Sequence, residues 1–438
     1  MDILGIIIQY TLVFASVLAL VALGGMFAER SGVINLGLEG TMVIGALGGA
    51  LTMRFLPETS SAWIVVLLVL LVSIISGMLY SLLLAVASIT FKADQTITGT
   101  ALNILAPALA TVIVKAITLN QDGKATPKLD YITLQKSFVF NANEVNVAWI
   151  IPTILLLVAA ILVFSLIKNK KSGNVKDFKL QLILAIVLGA IGIGLAIVCG
   201  FNLINFPFSW ALFVGLLIAF VGLLTRLILN IKAKKITNFA KPIINVSVVG
   251  VLLLVVFLLN VTNVFSKITF NWFTPLMFVL VGIAYYIIYH TKFGLRLMSC
   301  GENPQAAASV GINVIKMRYI GVLISGLLAG IGGIAFIASV NSSWSFDVGV
   351  AGFGFLALAV MIFGQWKPLL ILGGAVIFGF FRAIGLTYIS IDFLAKLNID
   401  STWYSMLPYI VCLIVLAFSS KKSRAPKAEG IPYDKGQR

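Results

Sequence analysis

The stretch GLRLMSCGENPQAAASVGI, residues 294–312, is a polar island between two apolar runs, 274–291 and 319–340. Each run is long enough to cross a bilayer, since about 20 apolar residues in helical form span a hydrocarbon core of roughly 30 Å. Within the island, Asn303 is a helix-capping residue and Pro304 suits a first helical turn, where its missing N–H has no partner to lose. Ala306, Ala307 and Ala308 then favour continuation of the helix. With Arg296, Glu302 and Gln305 around it, the island reads as a short helix lying on a membrane face.

Working outward, the same alternation fills the chain. Its 438 residues are 60% hydrophobic and only 11% charged, with a mean hydropathy of +1.09, far from the make-up of soluble domains. Apolar runs fall at 4–26, 41–56, 63–91, 97–119, 148–167, 180–200, 208–230, 244–265, 274–291, 319–340, 352–366, 369–390 and 403–420. The fold class is therefore all-α, a polytopic transmembrane bundle of about 12–13 hydrophobic segments, with residues 1–420 as one membrane domain. Run 41–56 is short, and the neighbouring residues 29–40 are polar yet hemmed in by apolar sequence, so a broken or re-entrant helix is expected near 28–56. The side on which the N-terminus lies depends on that segment. The first apolar run lacks a basic leader and a small-residue cleavage site and is read as a retained span.

The net charge of +16 does not point to nucleic acid, because the basic residues sit between spans. Lys168, Lys170, Lys171, Lys176 and Lys179 share a side with Lys232, Lys234, Lys235 and Lys241, with Lys292, Arg296, Lys316 and Arg318, and with the tail 421–438. Excess Lys and Arg mark the cytoplasmic side. The island at 294–312 and the C-terminus are thus expected in the cytoplasm, and the tail, with Pro426 and Pro432, as an irregular peptide against that face. The loop 120–147 belongs to the outer side and is too short to fold alone.

Two polar sets interrupt the apolar runs. In GGMFAERSGVINLGLEG (24–40), Glu29, Arg30, Asn35 and Glu39 lie among glycines that permit a helix break; such groups line a water-filled cavity or form a solvated loop. In QTITGTALNILA (95–106), Thr96, Gly99, Thr100 and Asn103 share a helix face, which suits either a path for a polar solute or hydrogen bonding between helices. Gly45 with Gly49, and Gly326 with Gly330, have the spacing of close helix contacts. GVINLGLEG and GVAGFGFLALA (349–359) are weakly alike, a hint of an internal repeat. His290 sits beside Tyr285, Tyr286 and Tyr289, as in an interfacial aromatic belt. Cys199, Cys300 and Cys412 show neither disulfide nor metal-ligand spacing. With one histidine, no HExxH and no GxxxxGK[ST], neither catalysis nor nucleotide binding is expected of this chain. No cofactor is expected on it, and any ATP would be used by a separate subunit.

Taken in order, GGMFAERSGVINLGLEG, QTITGTALNILA, TKFGLRLMSCGENPQAAASVGINVIKMRYIGVLISGLLAGIGG (291–333), AGFGFLALAVMIFGQWKP (351–368) and SRAPKAEGIPY (423–433) resemble the permease subunits of bacterial ATP-binding-cassette importers. The branch is the one for nucleosides and simple sugars, beside ribose and branched-chain amino acids, and the first, third and last motifs are most similar to guanosine-type nucleoside permeases. The resemblance implies a multi-pass protein of the cytoplasmic membrane. It implies that Gly301, Glu302, Asn303, Pro304, Ala307, Gly311 and Ile312 form the segment that docks into the ATPase. It implies a path lined in part by Glu29, Arg30, Asn35 and Glu39, to which Thr96, Thr100 and Asn103 add the helix face read above. Its implied partners are an ABC ATPase subunit, a second permease subunit (as a heterodimer) and an extracellular lipoprotein or periplasmic substrate-binding protein. Residues 148–265 depart from the family pattern as an insertion of four spans, an even number that keeps the docking segment on its side. An ion-coupled secondary transporter, with Glu29 or Glu39 as ion or proton site, is the competing expectation.

Overall fold

The computed structural model describes residues 3–119, 125–131, 136–141, 269–340, 343–397, 399–419 and 425–434, with isolated positions between 217 and 258. The four spans expected over 148–265, and most of the loop 120–147, lie outside the described residues. The chain divides into two compact units, residues 1–139 with 270–438, and residues 140–269; everything below belongs to the first.

Apolar sequence becomes helix throughout that unit. The helices are α1 (Ile3–Arg30), α2 (Leu38–Phe55), α3 (Ala62–Ala85, continued by a wider turn Val86–Thr90), α4 (Gln95–Thr118), α5 (Phe273–His290), α6 (Lys292–Glu302), α7 (Pro304–Ser309), α8 (Val314–Val340), α9 (Phe353–Phe363), α10 (Pro368–Thr387) and α11 (Ser401–Ser419). Among the described residues, six helices are long and apolar enough to cross a membrane, namely α1, α3, α4, α5, α8 and α10. The protein is a multi-pass helical membrane bundle. Among the described residues, the sheet-like features sit in connections, for example the antiparallel pair Lys128–Asp130 with Ser343–Ser345.

At the centre of the bundle stand α1, buried from Val13 to Glu29, and α8. Gly24 sits against Ser325 and Leu328 while Gly332 sits against Val21, so α1 and α8 are antiparallel. Gly45 meets Gly330 and Gly49 meets Ile334, which makes α2 parallel to α8; Gly77 sits between Gly326 and Gly330, bringing in α3. A Cβ on Gly45 would come within 2.4 Å of the Gly330 Cα. Helices in lipid gain from packing rather than from a hydrophobic drive, and small residues allow that approach. The spacing of Gly45 with Gly49 and of Gly326 with Gly330 thus reads correctly as helix contact.

The segment 28–56 is a break. α1 ends at Arg30, a turn at Ser31–Gly32 follows, and α2 restarts at Leu38. Asn35 donates to the Ser325 hydroxyl, which lies about 16 Å along α8 from its first residue at 1.5 Å per residue. α2 therefore begins at mid-depth and heads away from α6 and α7, and the first residues of α1 lie at the end opposite them. The run 352–366 corrects its expectation. Its helix, α9, covers only Phe353–Phe363, about 16 Å, too short to cross. The cause is local: Gly349, Ala351 and Gly352 have φ of 64°, 55° and 78°, a left-handed passage no helix can run through. α9 starts beside Glu39 at mid-depth and ends near Glu29.

Across the gap in the described chain, Trp272 N donates to the Phe138 carbonyl at 3.0 Å, and the Phe138 and Phe273 rings stack with centroids 5.4 Å apart. The chain thus leaves this unit and returns to it at one point.

Candidate functional site

At one end of the bundle the polar island folds as its caps dictate. The Thr291 hydroxyl accepts from Gly294 N at the start of α6, and the Asn303 carboxamide accepts from Ala306 N at 3.0 Å to start α7, with Pro304 in its first turn. Two short helices therefore replace the single one expected. Glu302, Asn303 and Gly311 are exposed, Pro304 and Ile312 half-buried, and Gly301 and Ala307 buried. The last two seat the segment; the others face outward. A groove of about 560 Å3 runs beside it, walled by Gln305, Ala308, Ile312 and Tyr433.

At mid-depth two helix N-termini meet. Glu39, in the first turn of α2, accepts from Gly352 N at 2.8 Å and from Gly354 N at 2.5 Å, capping α9. One carboxylate thus serves two helix starts, each the positive end of its dipole. Gly354 must be glycine for this: a Cβ there would stand 2.5 Å from the Glu39 backbone. Tyr409 of α11 donates to the Ala351 carbonyl at 2.9 Å and steadies the left-handed passage.

Beside this junction opens a cleft of about 430 Å3 lined by Glu39, Thr100, Asn103, Ile104, Pro107, Asp347, Val348, Gly349 and Phe355. Its size lies within the roughly 300–1,000 Å3 of small-solute sites, and so does its make-up, apolar walls with a few convergent polar groups. Asn103 bridges to the break, donating to the Leu36 carbonyl and accepting from Gly40 N. Pro107 has no N–H, so the Asn103 carbonyl is left without its helical donor. Asp347 accepts from the Ser345 hydroxyl at 2.5 Å and is exposed. The cleft is rich in acceptors and suits a solute that presents several hydroxyl or amino donors.

The sequence-predicted set therefore separates. Glu39, Thr100 and Asn103 meet in the cleft. Asn35 is buried against Ser325 below it. Thr96 is exposed near the start of α4, its amide held by the Asp94 cap. Glu29 and Arg30 belong elsewhere, at the α6 and α7 end: the Trp366 indole donates to Glu29 at 2.5 Å, and Arg30 donates to the Trp366 carbonyl at 3.1 Å. The C-terminal peptide reaches the same place, where the Glu429 carboxyl faces that of Glu29. Burial holds the Glu429 carboxyl above the usual carboxylate range. Asp347, Ile104, Pro107 and Phe355 went unnoticed in the sequence; the one available signal was Asp347, a lone acid in SSWSFDVGV ahead of a Gly-rich helix start. The His290 ring stacks on Tyr286 at 5.5 Å, within the aromatic cluster expected of it.

Broken helices that meet at mid-depth beside a polar cleft, inside a multi-pass bundle, are an arrangement by which membrane transporters build a solute site. The family model described as "Branched-chain amino acid transport system / permease component" matches residues 7–175 and 183–416, and the chain belongs to that family. It is 30% identical to the guanosine ABC transporter permease protein NupQ of Bacillus subtilis over 100% of this chain and 99% of that one. It is 28% identical to the nucleoside ABC transporter permease protein NupC of Lactococcus lactis, over 99% and 98% of the two chains. The ribose import permease protein RbsC of Escherichia coli is 26% identical over 35% of this chain and half of its own. No solved structure matches the chain. Both end-to-end relatives run through residues 148–265 as well, so that segment is not peculiar to this chain.

Proposed function

We propose that this chain is the permease subunit of an ATP-binding-cassette importer that carries nucleosides across the cytoplasmic membrane. The observation that carries this reading is the end-to-end likeness to two permeases named for guanosine and nucleosides. The cleft supports it, since ribose hydroxyls and base amino groups are donors, which the Asp347 carboxylate and the Asn103 carbonyl would accept, and the base would lie on Phe355 and Pro107.

The positive side of the chain, and with it 301–312 and the C-terminus, faces the cytoplasm. There Glu302, Asn303, Pro304, Gly311 and Ile312 meet the ATPase, seated by Gly301 and Ala307. A substrate-binding protein delivers solute to the opposite face, and a second permease, in a heterodimer, completes the path. ATP is hydrolysed on the partner and not on this chain.

The test is uptake of labelled guanosine, adenosine and ribose by cells that lack their own systems and express this chain with its partners. Nucleoside uptake that needs the ATPase is expected. Uptake that survives loss of the ATPase but collapses with the ion gradient would replace this reading with an ion-coupled transporter. The coupling segment has its own test: Glu302→Lys changes only an exposed group, and should abolish substrate-stimulated ATP hydrolysis in a folded, assembled complex.

A further inference from the structure

The C-terminal peptide, residues 426–434, has no regular structure beyond turns, yet its bonds are specific. Ala428 N donates to the Gly301 carbonyl at 2.8 Å, at the end of α6. Gln305, in the first turn of α7, donates to the Asp434 carbonyl at 2.9 Å. Arg318, at the start of α8 and 1% exposed, donates to the Ile431 carbonyl at 2.9 Å. Lys92, in the connection before α4, pairs with the Asp434 carboxylate at 2.9 Å. The Glu429 carboxyl faces that of Glu29 at the end of α1, and Gly430 makes the turn between these contacts with φ 77°.

The peptide thus joins both halves of the 301–312 segment to three other parts of the bundle. The segment needs such support. α7 has six residues, of which only Ala307 is buried, and a helix that short has no stability of its own. Gly301 is bound just as closely, because a Cβ there would stand 2.4 Å from the Arg30 carbonyl oxygen.

We propose that residues 428–434 are a positioning strap. They hold the 301–312 segment in the orientation in which it passes motion between the ATPase and the break at Arg30–Leu38. The inference rests on the reading of that segment as the coupling element. The strap has no contact with the cleft; it acts through Gly301, Gln305 and Arg318.

The test uses the full transporter in proteoliposomes with its ATPase, partner permease and binding protein. Four chains are compared with the parent: one ended after Lys427, one with Ala428→Pro, which removes the N–H donated to Gly301, and a pair, Glu429→Ala and Glu429→Gln. The first two should assemble and keep basal ATP hydrolysis and its KM for ATP, while substrate-stimulated hydrolysis and transport per ATP fall by at least about tenfold. Glu429→Gln, which can still bond to Glu29, should restore what Glu429→Ala loses. Parental stimulation in the shortened chain would overturn the proposal. So would failure to assemble, or an equal fall in basal and stimulated rates, since either makes the peptide a folding element. If the Glu302→Lys chain stays coupled while the strap variants uncouple, the coupling reading has failed. If the reverse holds, the strap inference has failed.

Discussion

Glu29 and Glu39 stand ten residues apart in one motif, and each holds one end of α9, yet they do so by different chemistry. Glu39 accepts two backbone amides at the helix start, beside an open cleft. Glu29 accepts one indole N–H from Trp366, just past the helix end, and faces a second carboxyl away from the cleft. The two N–H donors here point at different oxygens of one group, an arrangement a carboxylate supplies and a side-chain amide does not. A carboxyl facing one donor and one acceptor can be replaced by an amide. Charge and position in the sequence would have made the two acids equivalent; their hydrogen-bond partners make them opposites.

Glutamine at both positions separates the two acids most sharply. In Glu39→Gln the amide nitrogen faces an N–H of Gly352 or Gly354, leaving a buried donor unsatisfied at about 1–3 kcal/mol. In Glu39→Ala both donors are orphaned and the cost doubles. Transport should vanish in both, with a lowered melting temperature in detergent for Glu39→Ala above all. A Glu39→Gln chain with parental transport would remove the cap from the account.

Next in size is Gly354→Ala. Its Cβ would sit 2.5 Å from the Glu39 Cα and N, and both neighbours are backbone, so α2 and α9 must part. Overpacking of this kind costs about 1–3 kcal/mol. Thermal unfolding and uptake should both suffer, whereas Gly373→Ala, on the same scaffold with open space around its Cβ position, should leave both unchanged.

How far the sequence carried this picture follows from the same contrast. Long apolar runs announced α1, α3, α4, α5, α8 and α10, since twenty apolar residues have few other fates. Asn303 and Pro304 announced the start of α7, because caps use side chains. The strap left no such trace: its bonds run mostly through the backbone of Ala428, Ile431 and Asp434, which any residue could provide. The start of α9 is not legible in the sequence, because it is set by the left-handed Ala351, a conformation alanine does not advertise, and by Glu39 from far away in the chain. Asp347 joined the cleft only because the connection after α8 turns back to mid-depth. The grouping of Glu29 with Glu39 was an error of one dimension, since their depths differ by the length of α9.

A smaller effect is expected at the Glu29 end. Trp366→Phe keeps the ring in its pocket and removes the indole donor, at about 1–3 kcal/mol. The loss should appear as reduced coupling rather than reduced substrate affinity. Glu29→Gln, by contrast, can accept from the indole and donate to Glu429, and should stay within about 1 kcal/mol of the parent. Equal damage from Glu29→Gln and Glu39→Gln would erase the distinction on which the comparison stands.

The smallest expected effect is one of pH, and its sign follows from the carboxyl pair. A hydrogen bond between Glu29 and Glu429 needs a proton between them. Arg30 is committed to the Trp366 carbonyl and Arg318 to that of Ile431, and among the described residues neither forms an ion pair with the two acids. The Trp366 indole faces Glu29 as a neutral donor. Burial raises the Glu429 carboxyl above its ordinary value, which for glutamate is about 4.3. The docked strap therefore binds a proton that the released strap gives up. Docking is fully supported below that ordinary value and weakens as pH rises through the raised one. The Ala428 amide, bonded to Gly301, reports it: its exchange protection, corrected for intrinsic rate, should fall as pH rises through the window above about 4.3. In Glu429→Gln the protection should be flat over the same window, because an amide needs no proton to hold the bond. A parental chain that is equally flat would mean that the pair does not govern docking, leaving the strap to its backbone bonds alone.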